Sequence, residues 1–405
     1  MRYCKRCVYP QIAVNLHVDD DGVCSSCRGF EAAELLTEDR WADRRKRFEK
    51  IVEETLRTRS PDNYHCMIPV SGGKDSYYQA HVIASEYGLK PLLMTYHGNN
   101  YLPEGDYNRD RMRHVFDADH IVYGPSVEVL KKLNRLCFRK MGDMNWHAHC
   151  GILTTPIVTA VKFNIPLLIW GEIDWDISGM YDPDDFVEFS QRSRHEHGLR
   201  GFEWYDMVGD PREPLTERDM LWAKYPSDEE IVKVGVRGLY IGNFFKWDPN
   251  KHTQLVREKY GWRPADKPFE RTYREFSNLD DRYENGIHDL LKFVKFGYGR
   301  ASDHASKDIR TGYMTRETGV EMVRKYDHVV SSDLYYWLDY VQMTEAEFWA
   351  TADTFRDPRV WRIEKDQWVK DTAWGPPEAF GPVRLTAEGK AEWLKRAATF
   401  GTPSA

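Results

Sequence analysis

The chain has 405 residues, a formal net charge of −7, and 41% hydrophobic and 14% aromatic residues, enough to bury one large core or two smaller ones. The acidic average argues against an extended nucleic-acid surface, yet it allows a local basic patch and small anionic substrates. No apolar run approaches the roughly 20 residues of a membrane span, and Met1-Arg2-Tyr3-Cys4 lacks the apolar stretch of a signal peptide, so the expected address is the cytoplasm.

Residues 1–30 carry Cys4-x-x-Cys7 and Cys24-x-x-Cys27, the spacing of two metal-binding turns. Each pair aims two thiolates at one ion, and four thiolates match the tetrahedral preference of structural Zn²⁺; an iron–sulfur cluster accepts the same ligands. The expectation is a zinc-ribbon-like Cys4 module, closed to substrate and too short for a core of its own. Seven cysteines, an odd number clustered at one end, fit metal ligation in a reducing compartment better than a disulfide framework. Residues 31–60 read as a helical linker, with Leu35, Trp41, Phe48, Ile51 and Leu56 at irregular helical spacing.

Residues 61–265 alternate between strand and helix patterns. Strands are expected at Tyr64–Val70, Pro91–Tyr96, His120–Tyr123, Pro166–Trp170 and within Gly238–Gly242, with helices over 74–87, 106–117, 127–140 and 151–163. Repeated β-α units predict an α/β fold: a Rossmann-like parallel sheet with helices on both faces. Residues 173–236, rich in Asp, Trp, Tyr and Pro, break the pattern and are expected to act as a lid or substrate segment. Residues 266–405 read as a mostly helical C-terminal region.

Pro69-Val70-Ser71-Gly72-Gly73-Lys74-Asp75-Ser76 stands where the first strand ends and a helix begins, the anion-binding position of an α/β fold. Glycines let backbone approach phosphate, first-turn amides point at the anion, and Lys74 adds a point charge. It is not a Walker A loop, because Ile68 occupies the first glycine position and Asp75 follows the lysine. A carboxylate in a phosphate cradle repels unless it helps hold Mg²⁺, so Asp75 points to metal-bound pyrophosphate. The motif resembles the SGGxDS signature of the PP-loop ATP pyrophosphatases, against the blander reading of a Gly-rich turn. That resemblance implies ATP bound by Ser71, Gly72, Gly73, Lys74, Asp75 and Ser76, with Lys74 and Asp75 acting in its cleavage between the α and β phosphates. It also puts the nucleobase near Tyr96, His97, Gly98 and Asn99. Gly171-Glu172 follows an apolar strand at the same sheet edge, where Glu172 and Asp174 are candidate Mg²⁺ ligands or substrate contacts, against the blander reading of a solvated turn, which has more weight at Asp174.

Two further patterns carry chemistry. Cys150, in His147-Ala148-His149-Cys150-Gly151 ahead of an expected helix, is either a thiol activated by the helix start or a small buried residue; Cys66 and Cys137 read as core. In Lys292–Gly312, Lys295, Arg300, Asp303, His304, Lys307 and Arg310 gather around Gly297 and Gly299. Such a block suits a site that closes over phosphate or carboxylate, with His304 beside Asp303 as a proton-transfer candidate.

Together with Pro10, Ile169-Trp170-Gly171-Glu172, Tyr240-Ile241-Gly242 through Trp247, and Lys295-Phe296-Gly297-Tyr298-Gly299-Arg300 through Arg310, these motifs resemble the N-acetyl sugar amidotransferases of the WbpG/PseA type. The resemblance covers most of positions 1–350. It implies that an acetamido group on a nucleotide-activated sugar becomes an acetamidino group in surface-glycan or lipopolysaccharide biosynthesis. ATP, Mg²⁺ and a structural Zn²⁺ are the implied cofactors. Lys295, Arg300, Asp303, His304 and Arg310 are the implied substrate contacts, with Glu172 and His304 joining Lys74 and Asp75 in catalysis. The implied partners are an ammonia-supplying glutaminase and a cyclase-like tunnel subunit, since no cysteine has the Gly-flanked elbow or processed N-terminus that glutamine hydrolysis needs. A PP-loop tRNA thiolation enzyme shares the loop and the Cys pairs, but the charge of −7 and the lack of a basic stripe count against a nucleic-acid partner. An ATP-binding regulatory protein without turnover is the other alternative, and the intact Lys74, Asp75 and Ser76 count against it.

Overall fold

Along the first strand the side chains alternate between two hydrophobic cores, which makes the sheet a middle layer. In the computed structural model, residues 1–60, 62–171, 186–277, 279–370 and 385–400 are described. The N-terminal turns lead into α1 (Ser25–Glu34) and α2 (Glu38–Thr58). There follow β1 (Cys66–Pro69), α3 (Lys74–Ala80), β2 (Pro91–Tyr96), α4 (Pro103–Val115), β3 (Asp119–Tyr123), α5 (Val127–Met141), α6 (Trp146–Lys162) and β4 (Leu167–Trp170). A single turn α7 (Gln191–Ser193) and α8 (Asp228–Val234) precede β5 (Arg237–Tyr240) and α9 (Pro249–Tyr260).

All pairings in the order β3-β2-β1-β4-β5 are parallel. Cys66 and Ile68 of β1, with Leu167 and Ile169 of β4, enter one core, while Met67 and Leu168 enter the other. The first core is closed by Phe48 and Val52 of α2, Tyr77 of α3, Met112 of α4 and Val256 of α9, the second by Ile157 and Ala160 of α6. Strands buried on both faces need apolar side chains at every position, which is why these segments read as continuous apolar runs. The α/β fold expected from the sequence is therefore present, and its strand order reverses between β1 and β4, the switch point where open α/β sheets bind ligands.

The C-terminal region is helical in α10 (Asn285–Phe296), α11 (Arg300–Arg310), α12 (Arg316–Tyr326), α13 (Asp333–Val341), α14 (Glu345–Asp353) and α15 (Ala387–Phe400). Between α14 and α15 it also holds an antiparallel hairpin, β6 (Trp361–Glu364) and β7 (Gln367–Lys370), which the sequence reading missed. Lys365 and Asp366 turn it with φ of 49° and 56°, the left-handed pair of a two-residue hairpin loop. Neither is glycine, so the usual turn signal is absent. The described part of the expected lid is a packed layer: Leu199, Met207, Leu215, Met220 and Trp222 form a core with Leu133, Cys137 and Trp146. Two arginines of α5, Arg135 and Arg139, clamp its Glu213.

The N-terminal turns do not stand apart. Val8 packs in one cluster with Phe293, Val360, Trp361 and Trp368, and the guanidinium of Arg316 donates to the carbonyls of Cys4 and Cys7, both at 3.1 Å. Trp361 anchors this cluster: it is fully buried, its indole donates to the Val294 carbonyl at 2.7 Å, and Arg356 lies over its ring at 4.3 Å. Trp361→Ala is expected to cost about 3–5 kcal/mol, from lost transfer energy plus a cavity. A urea midpoint equal to that of the parent protein would disprove that role.

Candidate active site and metal centre

The end of β1 is held by its neighbour: the Val70 amide donates to Met94 O at 2.8 Å, and Thr95 Oγ1 donates to Val70 O at 2.6 Å. From there the chain must turn sharply into α3. Gly72 makes that turn with φ of +83°, and a Cβ there would stand 2.7 Å from the backbone N and Cα of Arg109 in α4. The Trp262 indole donates to Gly72 O at 3.0 Å, the Ser71 amide to Ser76 Oγ at 2.9 Å and the Gly73 amide to Ser71 Oγ at 3.3 Å. No side chain caps α3, whose N-cap is Gly73, so its first-turn amides are left for an anion.

Lys74 and Asp75 form an ion pair at the mouth of this loop. Burial pushes the Asp75 carboxyl up, but Lys74, Lys307 and His252 outweigh it and hold the group below the ordinary carboxylate range, hence ionised. Asp75 Oδ1 is buried and has no hydrogen-bond partner among the described residues, and the same is true of His252 Nδ1. An ionised, orphaned carboxylate oxygen beside a phosphate cradle fits a Mg²⁺ ligand.

A cavity of about 840 Å³ opens from this loop, and its far wall is the C-terminal block. Arg300, Asp303, His304, Lys307 and Arg310 recur at helical spacing on one face of α11, and all five line the cavity with Ser71, Gly73, Lys74 and Asp75. Lys295 of α10 lines it too. The structure thus brings the two polar constellations of the sequence into one chamber. It does not bring in His97, Gly98 or Gly171. These lie at the ends of β2 and β4 outside the cavity lining, where the His97 ring stacks on Tyr101 at 4.7 Å and its Nδ1 accepts from the Asn99 amide at 3.0 Å. Glu172 and Asp174 fall outside the described residues.

Two expectations need correction. Asp303 and His304 are not a proton-transfer pair, because each is held by other partners. Asp303 pairs with Lys292 and accepts from Tyr9 OH at 3.1 Å, while His304 Nδ1 meets Thr272 Oγ1 at 2.6 Å and its Nε2 meets Ser277 Oγ at 3.3 Å. Burial first, then Arg274, Arg300, Lys74 and Lys292, hold His304 well below the ordinary imidazole range, so it is neutral. The activated-thiol reading of Cys150 also fails. Helix α6 begins at Trp146, which puts Cys150 in its second turn, fully buried, with its thiol pushed up to about 12 by burial.

Sequence reasoning passed over several lining residues. Asp280 hydrogen-bonds Ser71, and burial pushes its carboxyl up; its only signal was an Asp-Asp step in a loop. Asp143, His149, Arg200 and His288 join the wall from four separate segments. Tyr9, Ala13, Val14 and Leu16 contribute an apolar side from the N-terminal turns, fastened by the Val14 amide donating to Tyr298 OH at 3.1 Å.

The four N-terminal cysteines converge as their spacing requires. Cys4, Cys7, Cys24 and Cys27 are buried, with all four sulfurs within 4.8 Å of one another. The Cys4–Cys27 and Cys7–Cys24 separations are 3.9 and 3.6 Å. A tetrahedral ion with bonds of about 2.3 Å needs sulfurs about 3.8 Å apart, so the set fits one zinc. A four-iron cluster, which spreads its ligands over separate corners, needs wider spacing. Backbone amides of Arg6, Cys24 and Cys27 point at these sulfurs at 3.3–3.4 Å, as suits thiolates.

Residues 270–373 match the model of "LPS biosynthesis protein WbpG-like, C-terminal domain". The chain carries a WbpG-like C-terminal domain. That domain supplies α10 and α11, and with them the polar wall facing the loop. A comparison with curated proteins gives no match. Among solved structures, NMN synthetase from Francisella tularensis aligns at 12% identity over 54% of this chain and 96% of its own, with a TM-score of 0.25, an overlap too slight to add to what the sheet itself shows. Among the described residues, no helix is long and apolar enough to cross a membrane.

Gly72 tests the loop directly. In Gly72→Ala the added methyl meets the Arg109 backbone and the residue must keep a left-handed φ, a strain of order 1–3 kcal/mol. The variant is expected to lose affinity for an ATP analogue at least about tenfold while retaining its far-ultraviolet dichroism. Calorimetry showing parental affinity would contradict the assigned cradle.

Proposed function

We propose that this protein is an ATP-dependent amidotransferase that converts the acetamido group of a nucleotide-activated sugar into an acetamidino group, in surface-glycan or lipopolysaccharide biosynthesis. The observation that carries the reading is the single cavity shared by the Ser71–Ser76 loop and the α11 face of the WbpG-like domain. An amide carbonyl is a poor electrophile, so its oxygen first needs a better leaving group. It attacks the α-phosphorus of ATP, an O–P bond forms, the α–β bridge breaks, and pyrophosphate leaves. Ammonia then adds to the imidate carbon, gives up a proton, and AMP departs with the former amide oxygen.

In this scheme Lys74 and the loop amides meet the negative charge that grows on pyrophosphate, help of a kind worth about 10²–10³ in rate per donor. Asp75 holds Mg²⁺, which supplies further charge neutralisation when bound. Neutral His304 accepts a proton near the reacting carbon, and Lys295, Arg300, Asp303 and Arg310 position the sugar. His97, Gly98 and Gly171 remain candidates for the adenosine side, with Glu172 as a catalytic group. The proposed division of labour gives ATP to 61–265 and the acceptor to 266–405, with 31–60 as a linker. Residues 1–30, with structural zinc on Cys4, Cys7, Cys24 and Cys27, brace the acceptor wall.

Burial raises the thiols of Cys66, Cys137 and Cys150, which weighs against a persulfide-carrying tRNA thiolation enzyme and against an internal glutaminase. Ammonia is therefore proposed to come from a partner glutaminase through a tunnel-forming subunit. The expected products are AMP and pyrophosphate in equal amounts, formed with acceptor sugar and high ammonium at alkaline pH but not with glutamine alone. Lys74→Ala should slow turnover at least about 10²-fold with little loss of stability. Release of ADP and phosphate would overturn the adenylation scheme.

Zinc is tested separately. Structural zinc contributes about 10–16 kcal/mol of apparent binding free energy in small modules, and here the module shares a core with the C-terminal region. Metal analysis should find one zinc per chain, and its removal by a strong chelator should lower the thermal midpoint of the whole protein. A chelated protein with an unchanged midpoint would refute the structural role.

A further inference from the structure

The cavity lining is rich in cationic side chains. Among the described residues its lining holds eight lysines and arginines against four aspartates, within a chain whose net charge is −7. Four of the eight fall into two groups, each around one carboxylate. One surrounds the loop, where Lys74 and Lys307 are the cations that hold Asp75 ionised. The other surrounds Asp143, which is 2% exposed and accepts from His288 Nδ1 at 3.0 Å and from Arg200 at 2.8 Å, with Lys295 Nζ at 3.7 Å. None of the charges that set one carboxylate is among those that set the other.

A lone buried carboxylate gathering an arginine, a lysine and a histidine satisfies itself and leaves surplus positive charge facing the chamber. The three side chains come from different places. His288 and Lys295 lie seven residues apart on one face of α10, whereas Arg200 arrives from the segment before β5 in a left-handed backbone conformation, φ of 56°. Arginine pays about 1 kcal/mol or more for that conformation, so the surroundings hold it there against its preference. His149 adds a ring to the same wall.

We infer that Arg200, His288 and Lys295, braced by Asp143, form the subsite for an oxyanion of the acceptor, either the diphosphate of a nucleotide-activated sugar or a carboxylate on the sugar itself. The inference rests on the reading that an activated sugar enters this cavity beside ATP. The guanidinium fork of an arginine and the point charge of a lysine suit both groups. Binding here would orient the acceptor before the loop delivers the α-phosphorus, and would let the enzyme reject neutral sugars.

The test uses the full chain saturated with α,β-methylene ATP, into which UDP and, separately, glucuronate are titrated by calorimetry. At least one should bind alongside the analogue, and which one binds identifies the oxyanion. Arg200→Gln and Lys295→Gln should each weaken that binding at least about tenfold and leave affinity for the analogue within about twofold. Arg200→Lys, which keeps the charge and loses the fork, should fall between and guards against a misfolded variant. Binding of neither probe, displacement of the analogue by the probe, or parental affinity in the variants would overturn the subsite. Failure of the adenylation scheme would look different: no AMP formed, with oxyanion binding intact.

Discussion

The parallel pairing of β1 between β2 and β4 is the constraint from which the site follows. A strand hydrogen-bonded on both edges and buried on both faces can end only at the sheet rim, and there the Ser71 and Gly73 amides turn inward to Ser76 and Ser71. The strand order reverses between β1 and β4, and the chains leaving those two strands part there, the place where open α/β sheets form a crevice. Gly72 then fits against the Arg109 backbone without room for a side chain, so α4 fixes the loop from outside.

The second wall obeys a different rule. Charged groups gathered in a part-buried chamber repel unless each finds a counter-charge, and the pairs here are local: Lys292 with Asp303, Arg300 with Asp289, Arg274 with Asp308. These pairs hold their side chains in place while the surplus of cations remains. Neutral His304 is the consequence of the same crowding, since burial and four neighbouring cations all oppose its protonation. A ring kept uncharged in a cationic chamber can take a proton only when an anionic ligand enters.

The cysteine module joins this chamber through packing. Its sulfurs enclose a site for one ion, and the turns around them deliver Tyr9, Ala13 and Val14 to the cavity, with Tyr9 reaching Asp303 of α11. A metal held by these sulfurs would therefore also shape the cavity wall, without lying in the cavity.

Much was legible in the residues alone. Apolar runs such as Pro91–Tyr96, buried throughout, announced parallel strands; the glycines announced the sharp turn from strand to helix; the cysteine spacing announced that four sulfurs converge. Each rests on local geometry, where spacing along the chain decides what a backbone can do. The β6–β7 hairpin escaped because its left-handed turn uses Lys365 and Asp366 in place of glycine. The separation of Asp303 from His304, the burial of Cys150 and the gathering of Asp143, Arg200, His288 and Lys295 were decided only by tertiary structure. Asp143, Arg200 and the His288–Lys295 pair stand dozens of residues apart and leave no common periodic trace, because what joins them is a shared cavity rather than any pattern in the chain.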